Sequence, residues 1–95
     1  MALQVELVGM DSRVWSGTAS MVVARTVDGE IGVLTGHSPL LAVLAPGEVR
    51  ITPTDGAPVV AQTDGGFLSV EHDRVMVVSD TATLVTGSAS RSAAV

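Results

Sequence analysis

The chain has 95 residues, 46% of them hydrophobic, with a net charge of −5 and no cysteine. That length suits one domain with one core, and the missing cysteine excludes a disulfide framework, a thiolate nucleophile and a Cys-based metal site. The five basic residues are all arginines, scattered at 13, 25, 50, 74 and 91, so no basic patch exists for nucleic acid or anionic lipid.

Trp15 and Phe67 are the only aromatics, so the core must be aliphatic. The N-terminal MALQVELVGMD lacks a positive segment before its apolar residues, which is not a signal-peptide pattern. No apolar run approaches the ~20 residues that span a bilayer, so no direct lipid insertion is expected.

The dominant period along the chain is two. Leu3-Gln4-Val5-Glu6-Leu7 alternates apolar and polar residues, as a half-buried strand does. Met21 to Arg25 is mostly apolar on both sides and predicts a more buried strand, ending at the turn pair Asp28-Gly29. Glu30 to Leu34 makes the return strand. Gly32 interrupts it, which marks a bulge or a close backbone approach.

Pro39 to Ala45 has room for a helical turn or two, stopped by Pro46-Gly47. Glu48 to Thr52 alternates again, with Val49 and Ile51 inward, and Pro53-Thr54-Asp55-Gly56 closes a hairpin into Val59 to Gln62. Asp64-Gly65-Gly66 reads as another turn. Phe67 to Glu71 and Arg74 to Ser79 form a strand pair across Glu71-His72-Asp73-Arg74, because Val and Thr fit strands better than helices. The fold expected is an all-β flattened sandwich or barrel of about eight to ten mostly antiparallel strands. It occupies residues 1–86, followed by a short disordered tail over 87–95 that is small, polar and has little to bury.

Candidate chemistry is sparse. Gly36-His37-Ser38-Pro39 sets a histidine beside a serine, but lacks the second glycine of a G-x-S-x-G elbow. Sequence neighbours also rarely adopt nucleophile and base geometry, so a loop bonded to its own backbone competes with catalysis. His72, with Glu71 and Asp73, reads as a solvated turn rather than a zinc site, since no third-ligand spacing accompanies it. No G-x-G-x-x-G or Walker spacing surrounds Asp64-Gly65-Gly66, and the chain has no lysine to complete a phosphate loop. Neither a cofactor nor a metal is expected. Trp15 is either a partly buried anchor or a partner contact. Glu30 lies beside a hairpin tip, exposed to a partner. Leu40, Leu41, Val43 and Leu44 are too apolar for a solvent loop and must pack inside or sit under another chain.

The order of these motifs resembles the N-terminal β-sandwich of the epsilon subunit of the F-type ATP synthase. The residues carrying the resemblance are Gly29-Glu30-Ile31-Gly32 with Gly36-His37 and Pro39-Leu40-Leu41, then Pro46-Gly47-Glu48-Val49-Arg50-Ile51. Gly65 to Val70 and Val75 to Ala82 follow in place, and Trp15-Ser16-Gly17 looks like the family's opening turn. Together they span about residues 3 to 82.

The resemblance implies a non-catalytic rotor subunit at the foot of the central stalk, between the gamma subunit and the c-ring. Such a subunit helps couple proton-driven rotation to ATP synthesis. It is a peripheral membrane protein, held on the cytoplasmic face of a bacterial plasma membrane through the complex. By motif position, Glu30, Ile31, Gly32 and His37 face the c-ring, while Ser38 and Leu41 contact gamma. Family members usually continue with a pair of helices that can inhibit ATP hydrolysis. Here Thr83 to Gly87 and a Ser/Ala tail follow Ala82, so coupling without helical-arm inhibition is expected. The alternatives are a stand-alone β-sandwich binding module, for which two aromatics are poor material, and a hydrolase built on His37 and Ser38.

Overall fold

Strand-forming residues dominate the chain, and all the regular structure among the described residues is strand. The computed structural model describes residues 2–10 and 13–85. The tail expected over 87–95 lies outside the described residues, as does the boundary at Thr86. In chain order the elements are β1 (Leu3–Val8), β2 (Arg13–Thr26), β3 (Gly29–Leu34), β4 (Leu40–Pro53), β5 (Val59–Glu71), β6 (Arg74–Val78) and β7 (Ala82–Leu84).

Hydrogen bonding follows the order β1-β6-β5-β4-β2-β3, and a further β1–β2 pairing closes the path into a ring. All pairings are antiparallel except β1 with β6, which run side by side from Gln4↔Arg74 to Val8↔Val78. The long strands serve both layers. The first half of β2 lies on β1 (Leu3↔Ala19 to Val8↔Arg13), and its second half lies between β3 and β4. Likewise β5 pairs with β7 through Ala61–Thr63 and with β6 through Phe67–Glu71. Stacked sheets sit about 10 Å apart, and the molecule's extents of 40 × 29 × 23 Å match two such layers with side chains on each outer face.

The seven strands among the described residues are fewer and longer than the sequence predicts. The difference arises at the punctuation. Pro46-Gly47 does not stop a helix, because Leu40 to Ala45 is already strand β4. Nor does Asp64-Gly65-Gly66 reverse the chain, since β5 runs through it. Both sites lie side by side, with Pro46 opposite Asp64 and Gly47 opposite Thr63 in unbroken register. On its other side β4 breaks register with β2 between Ala24 and Thr26, so the missing Pro46 amide falls where the ladder is already interrupted. Both strands switch their buried parity there, from Leu44 to Val49 in β4 and from Gly65 to Leu68 in β5, so the pair bends as it passes this point.

Gly66 permits this bend in two ways. Its φ of +118 disfavours any side chain. A Cβ would also overlap the Val78 carbonyl oxygen and lie 2.9 Å from the Ser79 Cα. The reversals expected at the other turns are present. His72 and Asp73 both take positive φ, 52° and 59°, in the two-residue β5–β6 connection between Glu71 and Arg74.

The core is aliphatic, as two aromatics require. Leu3, Leu7, Val22, Val33, Ile51, Leu68, Val75 and Val77 are completely buried, with Val5, Val49 and Val70 nearly so. The inward Val49 and Ile51 agree with the sequence alternation. Among the described residues the buried hydroxyls are all bonded: Thr26 Oγ1 donates to the Gly29 carbonyl (2.7 Å), Thr63 Oγ1 to Gly47 (3.3 Å) and Ser79 Oγ to Thr81 (2.8 Å).

Candidate partner-docking surface

Strands β4, β5 and β6 carry apolar residues at both parities, and a sheet can bury only one parity against its own core. The surplus lies on the outer face of one layer. Leu41 is 73% exposed, Phe67 52%, Val43 48%, Val78 40% and Met76 37%. They are brought together by register rather than by sequence. Val43 faces Phe67, which faces Val78, which faces the half-buried Val8; one row away, Leu41 faces Ser69 and then Met76. Glu6, Glu71 and Arg74 border this face. A contiguous apolar patch with a charged rim is the anatomy of a protein-binding surface.

The β3–β4 loop, residues 35–39, leads directly into Leu41. Within it the His37 amide donates to the Leu34 carbonyl (3.2 Å), and His37 Nδ1 lies 2.7 Å from the Ser38 carbonyl. A carbonyl only accepts, so Nδ1 carries the proton and His37 is engaged with its own loop rather than with the serine hydroxyl. This arrangement matches the backbone-bonded loop and not a nucleophile with its base. The Gly36 amide donates to Asp73 Oδ1 at 2.7 Å, tying the loop to the β5–β6 turn.

Glu30, Ile31 and Gly32 lie on β3, an edge strand whose partner is β2. Ile31 turns inward and packs against the core, while Glu30 and Gly32 face out. No Cβ placed on Gly32 would meet anything within 4 Å, and β3 keeps its register with β2 through it, so neither the bulge nor the close approach expected there is found among the described residues and that face is open. Glu30 borders a shallow hollow of about 240 Å³ that also includes Arg25, Glu48 and Arg50. Arg50 pairs with Glu48 at 3.4 Å. Equal numbers of arginines and glutamates leave this hollow without a net positive field to hold a phosphate. The structure thus groups Ser38 and His37 with Leu41 by the loop, and sets Glu30 and Gly32 apart on the edge of the other layer.

Among the described residues no group of three or more His, Cys, Asp or Glu could hold a metal ion. His72 is exposed at its turn. Trp15 is an anchor: it is half-buried, packs against the core, and its ring lies 3.0 Å from where a Gly17 Cβ would stand. Sequence reasoning missed Phe67, Met76 and Val78 as surface residues. The signal was present in Val75-Met76-Val77-Val78, whose two parities are both apolar.

Comparison with known proteins agrees with this geometry. The model of the ATP synthase delta/epsilon chain β-sandwich domain matches residues 2–85. An ATP synthase epsilon chain of Micrococcus luteus is 56% identical over 82 residues, covering 86% of this chain and 90% of that one. That of Frankia casuarinae is 50% identical, covering 88% and 99%. The Streptomyces avermitilis epsilon chain is also 50% identical, but this chain covers 66% of its length. A chain in the Euglena gracilis mitochondrial ATP synthase structure containing OSCP, F1 and c-ring superposes with a TM-score of 0.82 at 24% identity, covering 98% of this chain and 61% of that one. A chain of the Tetrahymena thermophila central stalk and c-ring gives 0.71 at 18% identity, covering 86% and 66%. At those identities the structures speak for the fold, and the sequence relatives speak for the family. The chain belongs to the ATP synthase epsilon chains, of which it carries the β-sandwich domain.

Proposed function

We propose that this protein is a non-catalytic central-stalk subunit that joins gamma to the c-ring and couples proton-driven rotation to ATP synthesis. It is held at the cytoplasmic face of a bacterial plasma membrane through those partners. The observation that carries the reading is the apolar face of Leu41, Val43, Phe67, Met76 and Val78, exposed in a chain of this family. Gamma occupies that face, with Ser38 at its border. The β3 edge bearing Glu30 and Gly32, with Ile31 turned inward between them, faces the c-ring loops, where charge complementarity sets register and encounter rate more than affinity, while His37 joins Ser38 on the loop beside Leu41. A closed ring of strands suits torque transmission, because its ladders must break before it shears. A stable contact needs on the order of 1,000 Å² in total.

The test is gel filtration of this chain with purified gamma, wild type against Leu41→Asp. The expected result is co-elution of the wild type and loss of co-elution for a variant that keeps its melting temperature, since Leu41 is 73% exposed and supports no core packing. If the wild-type chain ignores gamma, the face serves another protein and the stand-alone binding module is the better reading.

A further inference from the structure

Asp73 joins three separate segments of the chain. Its backbone carbonyl accepts from the Gln4 amide at 2.8 Å, fastening the start of β1. Its own position, at φ 59°, forms the β5–β6 turn. Its carboxylate accepts from the Gly36 amide at 2.7 Å, across 37 positions of sequence. The other bonds of the β3–β4 loop, His37 amide to Leu34 and His37 Nδ1 to Ser38, are local and do not locate the loop on the body of the molecule. The Asp73 carboxylate does. It is a charged acceptor, and such bonds are shorter and roughly twice as strong as neutral ones.

Building on the docking reading above, we infer that Asp73 is a positioning residue for the docking surface. It touches no partner itself. It holds His37 and Ser38 in place beside Leu41, so that the border of the apolar face is ordered before a partner arrives. Ordering a loop on binding weakens the complex, and a loop fixed beforehand avoids that loss. The selectivity of the effect follows from geometry. The carboxylate reaches the loop, while the backbone carbonyl and the positive φ serve the fold, so side-chain changes can separate the two roles.

Asp73→Gly tests this in the full chain. Glycine takes φ near 59° without strain, so the turn and the Gln4 bond persist and the melting temperature holds or rises. Three readings are taken: thermal stability, backbone NMR order parameters of residues 35–38 in the free chain, and affinity for purified gamma. The expected result is a melting temperature that holds or rises, order parameters falling toward those of a flexible loop, below about 0.6, and affinity weaker by roughly three- to tenfold. Asp73→Asn, which tolerates positive φ and retains an acceptor oxygen, restores most of both losses. Unchanged order parameters or unchanged affinity in Asp73→Gly would overturn the inference while leaving the docking reading intact. Failure of the wild-type chain to bind gamma would instead remove the docking reading, and this inference with it.

Discussion

A single methyl group distinguishes two glycines of this chain. Gly66 has φ +118 and a carbonyl where its Cβ would lie, whereas Gly32 has open space around it. Gly66→Ala should therefore cost about 2–4 kcal/mol, because both backbone strain and overlap with β6 must be relieved by moving one strand off the other. Gly32→Ala should change stability by less than about 1 kcal/mol. Urea titrations of the two variants against wild type check the contrast; equal losses would mean that the β5–β6 approach at Gly66 is not tight. The residue scale is also where alternation served best. Val49 and Ile51 were legible as core, because a half-buried strand shows its inward side in the residue order itself. Ile31 was not legible as inward-facing, because its neighbours Glu30 and Gly32 suggest a surface stretch in which every residue is available.

Among the elements, the β2–β3 hairpin depends on one hydroxyl. Thr26 Oγ1 donates to the Gly29 carbonyl at 2.7 Å and accepts from the Asp28 amide at 3.1 Å, and the Val27 amide reaches across to the Val43 carbonyl at 3.0 Å. Thr26→Val keeps the shape and removes both hydroxyl bonds. It should cost about 1–3 kcal/mol, and amide exchange should accelerate first along β3, which among the described residues is bonded to β2 alone. Uniform acceleration over all strands would show instead that β3 and the closed ring unfold as one unit. The sequence placed this hairpin at Asp28-Gly29, close to its actual position, since a turn is a local event. It misplaced the bends at Pro46-Gly47 and Asp64-Gly65-Gly66 for the opposite reason. Proline and glycine report that the backbone departs from ideal geometry, but a bend within continuing pairing and a reversal with new pairing use the same residues.

At the scale of the whole molecule, the two outer faces differ in chemistry. One is the apolar face around Phe67; the other contains Arg25, Glu30, Glu48 and Arg50. A chain with a net charge of −5 gains some protection from association through repulsion, yet an unpartnered apolar face tends to pair with itself. The isolated protein should therefore show concentration-dependent self-association by sedimentation velocity. Phe67→Ser should reduce it without lowering the melting temperature, since Phe67 is 52% exposed. Self-association unchanged in that variant would assign the contact to another face, with the β3 edge the next to examine. How far the site could be read depends on scale too. The Leu40 to Leu44 segment announced itself as core or interface, but its partners Phe67, Met76 and Val78 come from strands more than twenty residues away. Only pairing register sets them beside it.

The amino-acid order by itself determined the all-β class, the aliphatic core, the hairpin turns and, through its motifs, the family. These are properties of local pattern: alternation, turn residues and spacing are written within a few positions of one another. The tertiary structure decided three things: that β1 runs parallel to β6 in the closed ring, that two suspected breaks lie within continuous strands, and that Phe67, Met76 and Val78 join Leu41 and Val43 on one exposed apolar face. Each is a relation between distant segments. No local pattern encodes which strands become neighbours, because that choice belongs to how the whole chain buries its aliphatic side chains at once.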